Sequence, residues 1–419
     1  MEPNVGEHLH GFTVETAEDL PEIDGRAYTM RHGKSGARLL YLQNDDNNKS
    51  FSIAFKTPPA NDTGVFHILE HSVLCGSRKF PVKEPFVNLL KSSMQTFLNA
   101  MTFPDKTMYP VASTNMRDLM NLADVYMDAV LHPNIYVKPE IFMQEGWHYE
   151  LARNAAADAG LGEAARQELA ANERAGNVEL AYNGVVYNEM KGALSEPSSV
   201  LFDLLQASLF PDTAYRFESG GTPASIPELT YEQFLDEHRR HYRLDNSYIT
   251  LYGNLDLGAM LAFLDESYLS PVSDEQRAAD DARRSEGLPP LTPNALAEQA
   301  AVVVPHARCT MATARSNACC ALGYVVGGAR DKTRLAAVDI LLDAIMGSNE
   351  APLKRAILDA DLADDASGYV ADSLLQPFAV LELRGLRPGA AERFRAVVER
   401  ELERLASGGL DRTLLEASL

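Results

Sequence analysis

No uninterrupted apolar run in the 419-residue chain approaches the ~18 residues of a membrane-spanning helix, so a helical span is not expected. Cysteine is scarce: Cys75, Cys309, Cys319 and Cys320 form no C-x-x-C pair, and the last two are adjacent. A disulfide framework is set aside, and a reducing compartment fits. Basic residues are also short, with 38 Lys and Arg against 59 Asp and Glu for a formal net charge of −21. Nucleic acid and anionic membranes are bound through basic patches, so neither is an expected partner. The same acidic surplus suits basic peptides. The opening MEPNVGEHLHGF has neither the basic and apolar regions of a secretory signal nor the Arg-rich character of a transit peptide, and a cytoplasmic location is expected.

What is present begins with length. A chain of this size with 46% hydrophobic and 23% charged residues can bury two sizeable cores. Its most informative segment is HILEH, in which His67, Glu70 and His71 spell the zinc-protease motif HExxH in reverse on a segment that reads as a helix. At about 100° per residue the two imidazoles lie about 40° apart on one face, with Glu70 about 80° to one side of their bisector. The forward motif puts its glutamate about 80° to the other side. Both arrangements offer two imidazoles to a metal and a carboxylate beside the open coordination position. Asp62 or Thr63 can cap the start of this helix, and Gly76 stands where it would end. Cys75, one turn after His71, reads as a small apolar side chain beside the site and not as a ligand.

A catalytic zinc takes three protein ligands and leaves a fourth position for water. The third must come from elsewhere in the chain. In GVVYNEMKG, Asn183 and Gly184 precede a helical run, and Glu189 among Val185, Val186 and Met190 reads as a buried carboxylate in want of a counter-charge. Glu179 and Glu196 remain alternatives at this point. His238 and His241 in EHRRHY read as solvated side chains of a basic helix, and His148 carries no motif-based role.

An internal repeat gives the domain plan. A constant shift that carries His67 onto Val338 lays HILEHSVLCGS over VDILLDAIMGS and the strand FSIAFK over LGYVVG. Glu70 and His71 then fall on Leu341 and Leu342, so the second copy is apolar at every metal position. The expected plan is a metal-binding unit over 1–270, an exposed polar linker over 271–299, and a second, non-catalytic unit over 300–419. Leu419 corresponds to His148 of the first copy, so the second unit reads as incomplete and the chain as an amino-terminal portion. Locally, ARLLYLQ and KSFSIAFK read as a hairpin around NDDNN, FLNAMTFP and TMYPVAST as extended, and MRDLMNLADVYMDAVL as a helix with a core stripe. FVNLLK starts as a helix.

Five motifs, HILEHSVLCGS, KEPFVNLLK, TFLNAMTFPDKTMYPVAST, EGWHYEL and GVVYNEMKG, together resemble the presequence-protease branch of the pitrilysin/insulinase superfamily of inverted-motif zinc peptidases. The resemblance runs from about Gly36 to the chain end, broken by an Ala-, Glu- and Arg-rich stretch over 153–178. It implies one zinc held by His67, His71 and Glu189, with Glu70 as general base. It implies an edge strand over 97–102 to which an extended, unfolded peptide adds, with Asn99 and Ala100 beside the scissile bond. The implied fold is α+β, two homologous units each with a mainly antiparallel sheet packed by helices. A carboxy-terminal half of the same polypeptide is the implied partner, closing a chamber and supplying an arginine and a tyrosine not assigned within these residues. Two functions follow: a zinc endopeptidase of oligopeptides, or a non-catalytic binding or assembly module. The intact His67, Glu70, His71 and Glu189 set favours the first, because a degenerate unit loses those positions as the second copy has.

Overall fold

The computed structural model describes residues 2–82, 91–151, 167 and 180–418. All of KEPFVNLLK but its final lysine, Glu179 and all of 153–178 except Gln167 lie outside them. The strands that frame the site and its repeat are β1 (His8–Leu9), β2 (Phe12–Leu20), β3 (Gly25–His32), β4 (Arg38–Gln43), β5 (Lys49–Lys56), β6 (Gln95–Leu98), β7 (Met101–Thr102), β8 (Lys106–Ser113), β9 (His148–Leu151), β10 (Leu180–Asn183), β11 (Ser247–Tyr252), β12 (Cys319–Val325), β13 (Asp365–Ala371) and β14 (Phe378–Arg384). The longer helices are α1 (Val65–Val73), α2 (Met116–Leu131), α3 (Pro139–Glu145), α4 (Val185–Ala193), α5 (Pro197–Leu209), α6 (Tyr231–His241), α7 (Leu257–Leu264), α8 (Ser270–Ser285), α9 (Lys332–Met346), α10 (Pro352–Asp359) and α11 (Ala390–Gly408).

The first sheet runs β1-β2-β3-β4-β11-β5-β8-β6, with β7 also on β8. Every pair in it is antiparallel except β4 with β11. The hairpin expected of β4 and β5 does not form, because β11 lies between them, parallel to one and antiparallel to the other. Strand alternation is local, whereas this pairing joins segments far apart in the chain, and nothing in NDDNN reveals the intruder. Gly253, at φ 96°, lets the chain leave β11 beneath that connection, where a Cβ would lie 2.9 Å from the Asp46 carbonyl. The apolar face of the sheet carries Phe51, Ile53, Phe55, Tyr109 and Val111 against Phe66, Ile68 and Leu69 of α1, Leu119, Leu122 and Met127 of α2, and Phe234 of α6. The helical reading of MRDLMNLADVYMDAVL coincides with α2, capped by the Asn115 side chain accepting from the Asp118 amide.

The second sheet is β12-β14-β13. Under the shift that carries His67 onto Val338, β5 falls on β12, α1 on α9, β6 on β13, β8 on β14, and α2 on α11. The β5-β8-β6 order of the first sheet therefore recurs as β12-β14-β13, wrapped around its own core of Leu342, Ile345, Leu353, Leu383, Phe394 and Val398.

The exposed linker expected over 271–299 takes a different form. Its first half is α8, with Val272 and Ser273 buried and ion pairs from Lys34 to Asp274, Arg78 to Glu275 and Arg243 to Asp280. Those partners lie far away in sequence, so a polar composition alone suggests a solvated stretch of chain. Gln299, at the far end, is buried and bonds both Asp212 and Gln376. His238 and His241 are likewise not solvated. They are 4% and 0% exposed, His238 bonding Tyr136 and the Val130 carbonyl while His241 accepts from the Asn294 amide. Burial pushes the His238 pKa down to about 3 and keeps the ring neutral.

Candidate metal centre

Helix α1 begins not at Asp62 or Thr63 but at Gly64, whose φ of 65° is the left-handed region that glycine tolerates. A Cβ there would lie 2.4 Å from the Gly220 carbonyl, and one on Gly221 would lie 2.7 Å from Gly64 Cα. The two glycines let the 218–222 loop close over the start of α1. Asp62 fastens that loop, its carboxylate accepting from the Glu218 amide at 2.8 Å and its carbonyl from the Thr222 amide at 2.9 Å. As a result the Gly220 carbonyl sits 3.2 Å from His67 Nδ1. A carbonyl can only accept, so Nδ1 carries the proton and Nε2 is left with a free lone pair.

His71 is arranged the same way from the other side. Its Nδ1 lies 3.4 Å from Glu145 Oε2, at the end of α3, and Glu145 also accepts from Cys75 Sγ and from Gln144. Burial alone would lower the His71 pKa, but the hydrogen bond to Glu145 and the charges of Glu70, Glu145 and Glu189 outweigh it and raise the value. Burial would raise the Glu145 pKa, and the bonds from His71, Cys75 and Gln144 bring it below the ordinary carboxylate value. Sequence reasoning misses Glu145, although it opens EGWHYEL. Only the packing of α3 on α1 reveals its role.

Helix α4 brings the third group. Gly184 precedes it, and a Cβ on Gly184 would lie 2.1 Å from the Gly146 carbonyl, while one on Gly146 would lie 3.2 Å from Ile68 of α1. These contacts press α4 against the end of α3 and both against HILEH. Glu189 Oε2 then stands 3.7 Å from His67 Nε2 and 3.7 Å from His71 Nε2. The carboxylate is 54% exposed, not buried as its apolar neighbours suggest, because Val186 and Met190 take the buried face of the helix and Glu189 lies at its margin. Glu196 stands at the N-cap of α5, outside this convergence.

Among the described residues, His67, His71 and Glu189 form the one group of at least three potential metal ligands, with donor atoms within 4.8 Å of one another. Ligands about 2.0–2.1 Å from a tetrahedral zinc lie about 3.4 Å apart, so the observed spacing requires only a small contraction. The donor chemistry also fits: two imidazoles with fixed tautomers and a carboxylate leave one position open.

Glu70 is 8% exposed, its Oε2 accepts from Thr102 Oγ1 at 2.7 Å, and its charge is felt by His71. Burial pushes the phenols of Tyr109, Tyr126 and Tyr242 up, and the Glu70 charge adds to each shift. The expected strand over 97–102 is two pieces, β6 and β7, which pair with β8 and form the sheet's edge among the described residues. Asn99 and Ala100 occupy the break between them. The Asn99 side chain accepts from the Ala100 amide at 3.0 Å, and its carbonyl accepts from Tyr126 at 3.2 Å. Thr102 thus joins the edge to Glu70.

Comparison with known proteins matches residues 228–419 to the family described as Peptidase M16 inactive domain. That span begins after Glu189, so the three converging side chains lie outside it. Protein HypA of Clostridium perfringens is 43% identical over 409 residues, covering 98% of this chain and 39% of that protein. Presequence protease 1, chloroplastic/mitochondrial, of Arabidopsis thaliana is 36% identical over 425 residues, covering all of this chain and 36% of its own length. The chain therefore spans little more than a third of the length of these curated relatives. The crystal structure of pitrilysin superposes with a TM-score of 0.59 at 14% identity over 96% of this chain and 39% of its own, a likeness of fold.

Proposed function

This chain is a presequence protease-like member of the pitrilysin-type M16 peptidases, and from that premise we propose that its first unit is the catalytic part of a zinc-dependent endopeptidase acting on extended, unfolded peptides. The observation that carries the proposal is the convergence of His67 Nε2, His71 Nε2 and Glu189 Oε2 at 3.7 Å with the Glu70 carboxylate alongside. Zinc bound there would supply Lewis acidity to the scissile carbonyl and to an attacking water. Glu70, held by Thr102, takes the proton from that water and returns it to the leaving amine. The Gly220 carbonyl and Glu145 keep the two imidazoles turned inward.

Peptide would enter by adding to the edge formed by β6 and β7. Main-chain pairing of that kind demands an extended substrate and reads little sequence. Asn99 and Ala100, in the break between the two strands, would lie beside the scissile bond. The remaining length found in the relatives is proposed to form a second half that closes a chamber over the edge and clamps the substrate. The inactive-domain match favours a second reading, a binding or assembly module, and that reading suits the second unit, which has Val338, Leu341 and Leu342 at the metal positions.

An unstructured peptide of about 20–30 residues, long enough for strand addition, tests the proposal. Zinc-loaded protein should cleave it, most strongly when the chain carries the further length of its relatives, and chelation should stop cleavage. A full-length, zinc-loaded protein that leaves the peptide intact would establish the binding-module reading for the whole molecule.

A further inference from the structure

We infer that the second unit, which has no ligand set of its own among the described residues, is a positioning surface for the metal ligands of the first, and that it acts through α5. The inference rests on the zinc reading above and asks what the metal-free repeat contributes to it.

Helix α5 has two working faces. At about 100° per residue, Ser198, Phe202, Leu205 and Leu209 share an arc of about 60°. That stripe lies on the second sheet. Ser198 Oγ donates to Glu382 Oε1 at 2.7 Å, the Phe202 ring is 5.7 Å from that of Phe378, and β12 comes so close that a Cβ on Gly323 would lie 2.8 Å from Leu205 Cδ1 and 2.9 Å from Leu209 Cδ1. Glu382 is 4% exposed, so the bond is a buried one, and Arg384 pairs with the same carboxylate. Phe210, Tyr215, Leu374, Phe378 and Val380 extend the contact into a small core made by both units.

The other face supports the metal centre. Asp203 projects about 130° away from the stripe and hydrogen-bonds Glu218. Glu218 Oε1 in turn accepts from the Gly220 amide at 2.7 Å, and the Gly220 carbonyl holds His67. The N-terminus of α5 follows α4 after only Leu194, Ser195 and Glu196, so α5 also anchors the helix that carries Glu189. Glu189 is more than half exposed, so packing around its own side chain does little to fix it. Its position depends on α5 as well as on the packing of α4 against α3, and the Gly220 loop is held from the α5 side through Glu218 as well as by Asp62. Gly323 and Glu382 are therefore positioning residues for a centre they do not touch.

Gly323→Val tests this in the full chain by driving a side chain into Leu205 and Leu209. Zinc affinity, measured by chelator competition, should fall about tenfold or more, in the range typical of outer-shell changes. Adding Leu205→Ala should restore it by making room. Ala366→Val is the control, because Ala366 is packed in the second unit's own core away from α5, and it should leave zinc affinity at the wild-type value. If Gly323→Val does not fold, Ser198→Ala removes only the bond to Glu382 and should weaken zinc about two- to threefold. Wild-type affinity in the folded α5-contact variants, or an equal loss in Ala366→Val, would overturn the inference while the zinc reading stood. A wild-type chain that binds no zinc would remove both.

Discussion

The Thr102 hydroxyl donates to Glu70 Oε2 at 2.7 Å, so the carboxylate beside the metal ligands is tied to the sheet edge where a peptide would pair. In the proposed mechanism one short strand would then set both the substrate and the general base. Glu70→Gln should keep zinc and fold but slow peptide cleavage by about 10²–10⁴-fold, the usual worth of general-base assistance. Thr102→Val removes one hydrogen bond to a charged group, about 1.5–3 kcal/mol if the bond is lost in full, and should lower kcat by about tenfold or more without altering zinc content. Near-wild-type turnover in zinc-loaded Glu70→Gln would place the base elsewhere.

On the proposed ligand set, Glu189→Gln removes the one carboxylate among the three ligands. Its effect on zinc affinity should exceed the roughly 10–100-fold cost of outer-shell changes. Equilibrium dialysis at sub-micromolar free zinc measures this, and one full equivalent retained by the variant would take Glu189 out of the ligand set.

How much of this centre was legible beforehand follows from the range of the interactions. HILEH is local, and a helical period places its imidazoles on one face without knowledge of the rest. The repeat was legible because strands and helices recur at the constant spacing that carries His67 onto Val338. The partners that orient those imidazoles were not. Gly220 lies 153 positions beyond His67, Glu145 sits at the far end of another helix, and both reach α1 only through packing. Glu145 opens the EGWHYEL motif, but nothing local in that motif says that its carboxylate meets His71, and around Gly220 only the Gly220-Gly221 pair stands out. The insertion of β11 between β4 and β5 was illegible for the same reason, as was the burial of His238 and His241. A basic EHRRHY stretch looks solvated until Tyr136 and Val130 are seen to enclose it.

Glu145 makes a separate prediction for the metal-free protein. The His71 pKa is raised in the fold, so this ion pair stabilises it fully below the unfolded value of about 6.5 and the contribution is lost as pH rises through the folded value. Glu145→Gln should bring the His71 titration down in an NMR pH series and weaken zinc by about 10–100-fold. An unchanged His71 titration would remove Glu145 as its partner.

Asp203 should give the opposite kind of pH dependence to an ordinary ion-paired carboxylate. Burial first, then the bond to Glu218 and the charges of Glu218 and Asp62, push its pKa up to about 8. The folded state therefore holds a proton that the unfolded state has released above about pH 4, and stability declines as pH rises from there to about 8. Asp203→Asn mimics the protonated acid, so its advantage over wild type in thermal midpoint should grow across that interval and level off below it. A constant difference from about pH 5 to 8 would contradict the assignment.

Zinc K-edge X-ray absorption on the zinc-loaded chain tests the central claim most directly. Two imidazole nitrogens and one carboxylate oxygen from the protein, at about 2.0–2.2 Å with no sulfur shell, are predicted, and the imidazole signal should persist in Glu70→Gln. A sulfur shell at about 2.3 Å, or a spectrum of hydrated zinc without imidazole scattering, would contradict a centre built from His67, His71 and Glu189.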